Sequence, residues 1–383
     1  MQPCLDLRVN ILIVSLIWLA SGTSSRADEL TISVSGGIKE LIGEILITAQ
    51  DESLYFRGND GRIWFVKPEQ VIEKQDDDQQ VPPIDPKELG QQLLGELPPG
   101  FRIFHTKHYV IAYQNEVDFA RWIGGLYESR LYRGFESFWE KKKKFPLQDP
   151  VYPLIAVIFG SATEYEQYVE RELGVGQSMI AYYNLETNRV TMFDLTADLS
   201  HGEQAMNDRQ IEQILQTPAA IPMVTTIIHE GTHQLIFNRG IQTRFAETPL
   251  WLNEGLAMYF ETPALDSARG WRTPGLVSSM RLFAFLKQLP HRPENSLETM
   301  IQTDRRLRDT AVAADAYAEA WAFNHFLLHR RSADYVKYLQ FMSAKKALVE
   351  DSPETRLSDF QQFFGDDLKS LDQQFLEYVR ALR

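Results

Sequence analysis

Two stretches, Thr225-Thr-Ile-Ile-His229-Glu230-Gly-Thr-His233-Gln-Leu-Ile and Trp251-Leu-Asn-Glu254-Gly-Leu-Ala-Met-Tyr-Phe-Glu261, limit what this chain can fold into more than any other feature. An α-helix turns about 100° per residue, so His229 and His233 lie roughly 40° apart on one face, one turn along. At that spacing both imidazoles reach one ion. Glu230 then sits beside the ion without ligating it, placed to take a proton from metal-bound water. A catalytic zinc takes three protein ligands and keeps a fourth position open, and Glu254 is the candidate for the third. Twenty residues lie between His233 and Glu254, enough for one helix to end, the chain to reverse and a second helix to return.

The flanks agree with two helices. Thr217-Pro218 and Ile221-Pro222 are starting signals, Met223, Ile227, Ile228, Leu235 and Ile236 supply apolar positions, and Gly240 closes the helix with positive φ. The second helix is expected to begin near Pro249 and to turn Leu250, Leu252, Leu256, Ala257 and Phe260 inward, with Glu254 facing the first.

These residues resemble the gluzincins, zinc metallopeptidases whose ligands are two histidines and a glutamate. Trp251-Leu-Asn-Glu-Gly-Leu-Ala257 is similar to the corresponding stretch of the aminopeptidase-N family. The resemblance implies one zinc per chain at His229, His233 and Glu254, with Glu230 as general base. From about Phe101 onward the layout is similar to the peptidase-MA-like domain of a family of secreted bacterial proteins of uncharacterised function. The Gly-Ala-Met-Glu-Asn run that holds a substrate's free amine in aminopeptidase-N relatives is absent, which favours an endopeptidase. Four residues after the glutamate ligand, where thermolysin-like enzymes use an aspartate to orient a ligand histidine, this chain has Met258. Another group must do so: Glu261 and Asn253 are the candidates, each also able to cap or solvate its own helix.

Amide hydrolysis develops an oxyanion that benefits from an added hydrogen bond. The aminopeptidase-N resemblance implies Tyr317, at the start of Tyr317-Ala-Glu-Ala-Trp321-Ala-Phe-Asn-His325; core packing accounts for Trp321 and His325. The resemblance also puts residues 179–193 beside the zinc helix, where an edge strand pairs with an extended peptide. Tyr182 and Tyr183 are the substrate-binding candidates there, and as strand neighbours they point to opposite faces. An ordinary sheet edge with packed tyrosines is the alternative.

Arg8 precedes the apolar run Ile11 to Ala20, and Ser25-Arg-Ala27 offers small residues for a signal peptidase, so residues 1–27 read as a signal peptide of an exported, periplasmic or extracellular bacterial protein. An uncleaved anchor is the alternative, although the run is short for a bilayer. Removing the segment takes away the lone Cys4, excluding disulfides and thiolate ligands. Formal charge moves from -13 to -14 (37 basic, 51 acidic), which argues against nucleic acid and leaves a peptide or protein substrate as the expected partner.

The expected fold class is α+β. Short alternating runs over residues 28–75 predict a small antiparallel β module; the charged, proline-rich stretch Lys74 to Pro86 reads as a linker, with residues 76–100 holding linker and short helix. Residues 101–383 then form the gluzincin-like domain: strands at 101–104, 109–113 and 152–160, a long helix from Glu116 to Lys144 with Lys141 to Lys144 as a solvated terminus, the hairpin, and a mainly helical lobe. Two functions remain in play: a zinc endopeptidase, or a catalytically silent scaffold that binds a peptide or partner in the cell envelope.

Overall fold

The computed structural model describes residues 27–34, 36–77, 82–174, 179–197, 208–262 and 275–382. Residues 1–26, with Cys4 and most of the expected signal peptide, and also His201 lie outside the described residues. No helix among the described residues is long and apolar enough to cross a membrane.

The N-terminal module is a five-stranded antiparallel sheet of β1 (Ala27–Val34), β2 (Gly37–Thr48), β3 (Leu54–Gly58), β4 (Ile63–Val66) and β5 (Val71–Asp77), in the order β4-β3-β2-β1-β5. Its apolar face closes over Leu30, Ile32, Leu41, Leu54, Phe56 and Val66. The expected linker starts too early: Lys74 to Asp77 complete β5, pairing with Leu30 to Ala27 of β1. Charged residues are tolerated there because the strand is a sheet edge.

After α1 (Pro86–Glu96) comes the central sheet, built from β6 (Arg102–His105), β7 (Tyr109–Tyr113), β8 (Leu154–Phe159), β9 (Ala181–Asn184) and β10 (Arg189–Phe193). The order is β6-β7-β8-β10-β9, with β7, β8 and β10 parallel and the two edges antiparallel. Side chains alternate between faces. Val110, Ala112, Ile155, Val157 and Tyr182 meet α1 and α4 (Ala162–Leu173), whereas Tyr109, Ile111, Ala156, Ile158 and Ala181 join the main core.

The long helix spans 117–142, as α2 (Val117–Gly125), a π-helical stretch Leu126–Tyr132, α3 (Arg133–Glu136) and a second π-helical stretch Ser137–Lys142. Its end is not simply solvated. Lys143 donates to the Leu328 carbonyl at 2.5 Å and to the Ser332 hydroxyl at 2.9 Å, and burial with Lys142 nearby lowers its pKa to about 8. The remaining elements are α5 (Asp208–Leu215), α6 (Ile221–Asn238), α7 (Leu250–Phe260), α8 (Ser279–Gln288), α9 (Ser296–Gln302), α10 (Arg305–Arg308), α11 (Ala313–Arg330), α12 (Ser332–Ser343), α13 (Pro353–Phe364) and α14 (Leu368–Ala381). The architecture is α+β, an antiparallel module and a mixed sheet with helices.

The module is fastened beside the β9–β10 turn. Arg244 donates to the carbonyls of Gly61 at 2.7 Å and Leu185 at 3.1 Å, and Ile63 N donates to Glu186 O at 2.7 Å. Arg189 and Lys39 both reach Glu96, at 2.6 and 3.0 Å.

Helix α7 is placed by close packing. A Cβ on Gly255 would lie 1.8 Å from Nδ2 of Asn324 and 2.9 Å from the Ala320 carbonyl oxygen, so glycine is what lets α7 cross α11. Asn324 in turn donates to the Trp251 carbonyl at 2.8 Å, and Asp304 accepts from Leu250 N at 3.0 Å, fixing the start of α7. Gly255→Ala is therefore expected to cost about 1–3 kcal/mol of stability, read as a lower midpoint in urea unfolding.

Candidate metal centre

Helix α6 is gripped by the central sheet and by the π-helical stretch. Gln234 Nε2 donates to the carbonyls of Ile155 (3.0 Å) and Asn188 (2.8 Å), tying the helix to β8 and the turn before β10. From the π-helical stretch, Tyr127 donates to the Ile227 carbonyl at 2.9 Å, and a Cβ on Gly231 would meet Tyr127 and Leu131 at 2.9 Å. The glycine inside the His-Glu-x-x-His motif is thus where the π-helical stretch leans on α6. Buried Trp251 and Trp321 serve the core, Trp251 lying parallel to Tyr338 with centroids 6.2 Å apart.

His229, His233 and Glu254 converge with their ligand atoms all within 4.8 Å. The two Nε2 atoms are 3.1 Å apart, His229 Nε2 lies 3.3 Å from one Glu254 oxygen, and His233 Nε2 lies 3.5 Å from the other. Bonds of ~2.0–2.2 Å to a tetrahedral zinc would separate ligand atoms by about 3.3–3.6 Å. The donor set and its spacing fit a divalent metal, and imidazole with carboxylate accepts several first-row ions.

Charge points the same way. All three residues are at least nine-tenths buried, and among the described residues Arg281 is the permanent cation paired with Glu261 beside them. Burial would push the His229 imidazole down, but the hydrogen bonds and charges of Glu254 and Glu261 outweigh it and carry the pKa up to about 10. Burial lowers that of His233 to about 4. Burial would likewise raise both glutamates, and the surrounding positive groups reverse it, chiefly the imidazoles for Glu254 and Arg281 for Glu261. The cluster thus attracts a cation, which a bound metal supplies in place of a proton.

Glu261 Oε2 accepts from His229 Nδ1 at 2.8 Å, so once the imidazole gives up its second proton Nε2 is the lone-pair atom facing Glu254. Asn253 stands beside His233 and favours its protonated form, although Nδ1 of His233 and Oδ1 of Asn253 both lack a hydrogen bond of good geometry. Glu230, next to His229 on α6, is held by the sheet: its Oε2 accepts from the main-chain N–H of Tyr183, at 2.9 Å, on the outer edge of β9. The Tyr183 side chain is used elsewhere, stacking on Phe237 with its hydroxyl donating to Asn188 at 2.8 Å.

Tyr182 is not at the site. Its ring lies in the core under α4, on the sheet face away from α6, and its hydroxyl donates to Glu172. The two tyrosines do point to opposite faces, and the edge offers its backbone instead of their phenols. Tyr317 is half-buried in the first turns of α11, the helix packed on α7. His325 is a core side chain paired with the Tyr378 hydroxyl at 2.7 Å.

Two contacts carried no sequence signal. Arg281 comes from α8, twenty residues beyond Glu261, with no spacing rule linking them. The Tyr183 N–H is main chain, which any residue there would supply.

Residues 223–349 match the family model described as a protein of unknown function (DUF1570). The match covers the stretches that carry all three candidate ligands and stops well short of half the chain. No curated protein matches the chain.

The metal content of purified protein after dialysis is expected to be near one divalent ion per chain, and His233→Ala is expected to lose it, as read by elemental mass spectrometry.

Proposed function

We propose that this protein is an exported zinc-dependent metallopeptidase of the gluzincin kind, cleaving internal peptide bonds. One observation carries the reading: two imidazoles and a carboxylate converge in a buried cluster, and Glu230, next to His229 on α6, has its carboxylate hydrogen-bonded to the edge of a sheet. Zinc, when bound, would polarise the scissile carbonyl and lower the pKa of an attacking water from 15.7 to about 7. The chain's residues do the rest. His229, His233 and Glu254 would hold the ion, with Glu261 and Asn253 behind the imidazoles. Glu230, oriented by the Tyr183 N–H, would take the proton from the attacking water and deliver it to the leaving amine.

The outer edge of β9 is suited to an extended peptide, because main-chain groups there align a backbone whatever its side chains. Since the Tyr183 N–H already holds Glu230, peptide pairing would rely on neighbouring main-chain groups of β9. Tyr317 is the group we assign to the developing oxyanion, through the likeness of its position to that in aminopeptidase-N relatives. Export rests on residues 1–27, where a short apolar run precedes Ser25-Arg-Ala27.

Glu230→Gln separates this reading from a silent binding scaffold. The substitution preserves size and an acceptor for Tyr183 N–H but removes the base, so cleavage of a peptide library is expected to fall by about 10²–10⁴-fold with metal content unchanged. Equal turnover in both proteins would sink the role of Glu230. No turnover in the wild type with metal bound would leave the scaffold reading standing.

A further inference from the structure

The His229 imidazole is held by a chain of contacts that runs outward through two more residues. Glu261, at the end of α7, gives one oxygen to each neighbour: Oε2 accepts from His229 Nδ1 at 2.8 Å, while Oε1 takes both Nε and Nη2 of Arg281, at 2.6 and 2.5 Å. A carboxylate with one oxygen gripped by two guanidinium donors has little freedom to rotate, so its other oxygen stays on His229. We infer that Arg281 is a positioning residue for the metal centre, acting through Glu261 to aim His229 Nε2 at the ion. This inference rests on the metal site and extends it to α8.

The geometry makes the relay specific to one ligand. His229 Nδ1 has a charged acceptor, whereas His233 Nδ1 is buried and lacks a hydrogen bond of good geometry. The ring of His229 is thus held by an ionic network that reaches a separate helix, a contact that His233 Nδ1 lacks among the described residues. Arginine suits the outer position because its planar fork brings two donors to one oxygen, which an ammonium does less well. Helix α8 delivers the side chain near its N-terminal end, where Ser278 caps it by accepting from the Arg281 backbone N–H at 3.4 Å. The Arg281 side chain is 11% exposed and that of Glu261 3%, so water competes weakly for the pair.

Groups that position a ligand from outside are typically worth about 10–100-fold in metal affinity. The test is zinc affinity, measured by competition with a chromophoric chelator, for wild type, Arg281→Met, Arg281→Lys, Glu261→Gln and the double variant Arg281→Met/Glu261→Gln. Arg281→Met is expected to weaken zinc binding by about 10–100-fold, with Arg281→Lys recovering part of the loss. Because Arg281 acts through Glu261, the double variant should bind zinc within about threefold of Glu261→Gln alone. The double variant removes the Glu261 carboxylate together with the guanidinium that pairs with it, so it reports even where Arg281→Met folds poorly. Wild-type affinity in Arg281→Met, or losses that multiply in the double variant, would overturn the relay. Zinc binding by the wild type without peptide cleavage would count against the peptidase reading alone, and absence of zinc binding in the wild type would overturn both.

Discussion

Two carboxylates and two imidazoles buried within hydrogen-bonding reach of one another need a positive charge among them, because an isolated ionised carboxylate in a low-dielectric interior is strongly unfavourable. Arg281 balances part of this, from behind Glu261. The remainder falls on the space between His229, His233 and Glu254, where a proton or a metal ion is the available cation. That electrostatic demand explains why helices α6 and α7 are held so firmly, by Gln234 and Tyr127 on one and by Asp304 and Asn324 on the other. Displacement by an ångström would leave acceptors facing acceptors with nothing shared between them.

Close packing sets the ligand geometry at two glycines. Gly231 admits the π-helical stretch against α6, and Gly255 admits α11 against α7. π-Helical turns inside longer helices often accompany functional sites, and here the π-helical stretch carries Tyr127 and Leu131, which lie against the motif helix at Gly231. The Glu230 carboxylate is reached by the sheet edge through Tyr183 N–H. The site therefore has a rigid helical floor and a main-chain wall, the arrangement in which preorganised charge acts most strongly.

Much of this was legible in the sequence where periodicity and punctuation are strong. The helices around His229 and Glu254, the hairpin at 181–193 and the early β module all follow from apolar spacing bounded by proline and glycine. The ligand triad followed from a four-residue spacing and a returning helix. Legibility stopped where partners are set by tertiary packing. Strand β5 was hidden because its partner β1 stabilises an edge whose own residues are charged. Lys143 looked like its neighbours until α11 and α12 supplied acceptors. Tyr182 and Tyr183 were candidates for their side chains, whereas the contact that reaches Glu230 belongs to the backbone. Glu261 could be singled out as one of two candidates, but not Arg281, whose distance along the chain carries no geometric rule.

The central claim is that His229, His233 and Glu254 bind one ion together. The most direct measurement is an anomalous difference map at the zinc edge from crystals grown with zinc. The account predicts one strong peak per chain, ~2.0–2.2 Å from Nε2 of both histidines and from a Glu254 oxygen. A peak absent from this cluster while zinc is present, or one that leaves out either histidine, would contradict it.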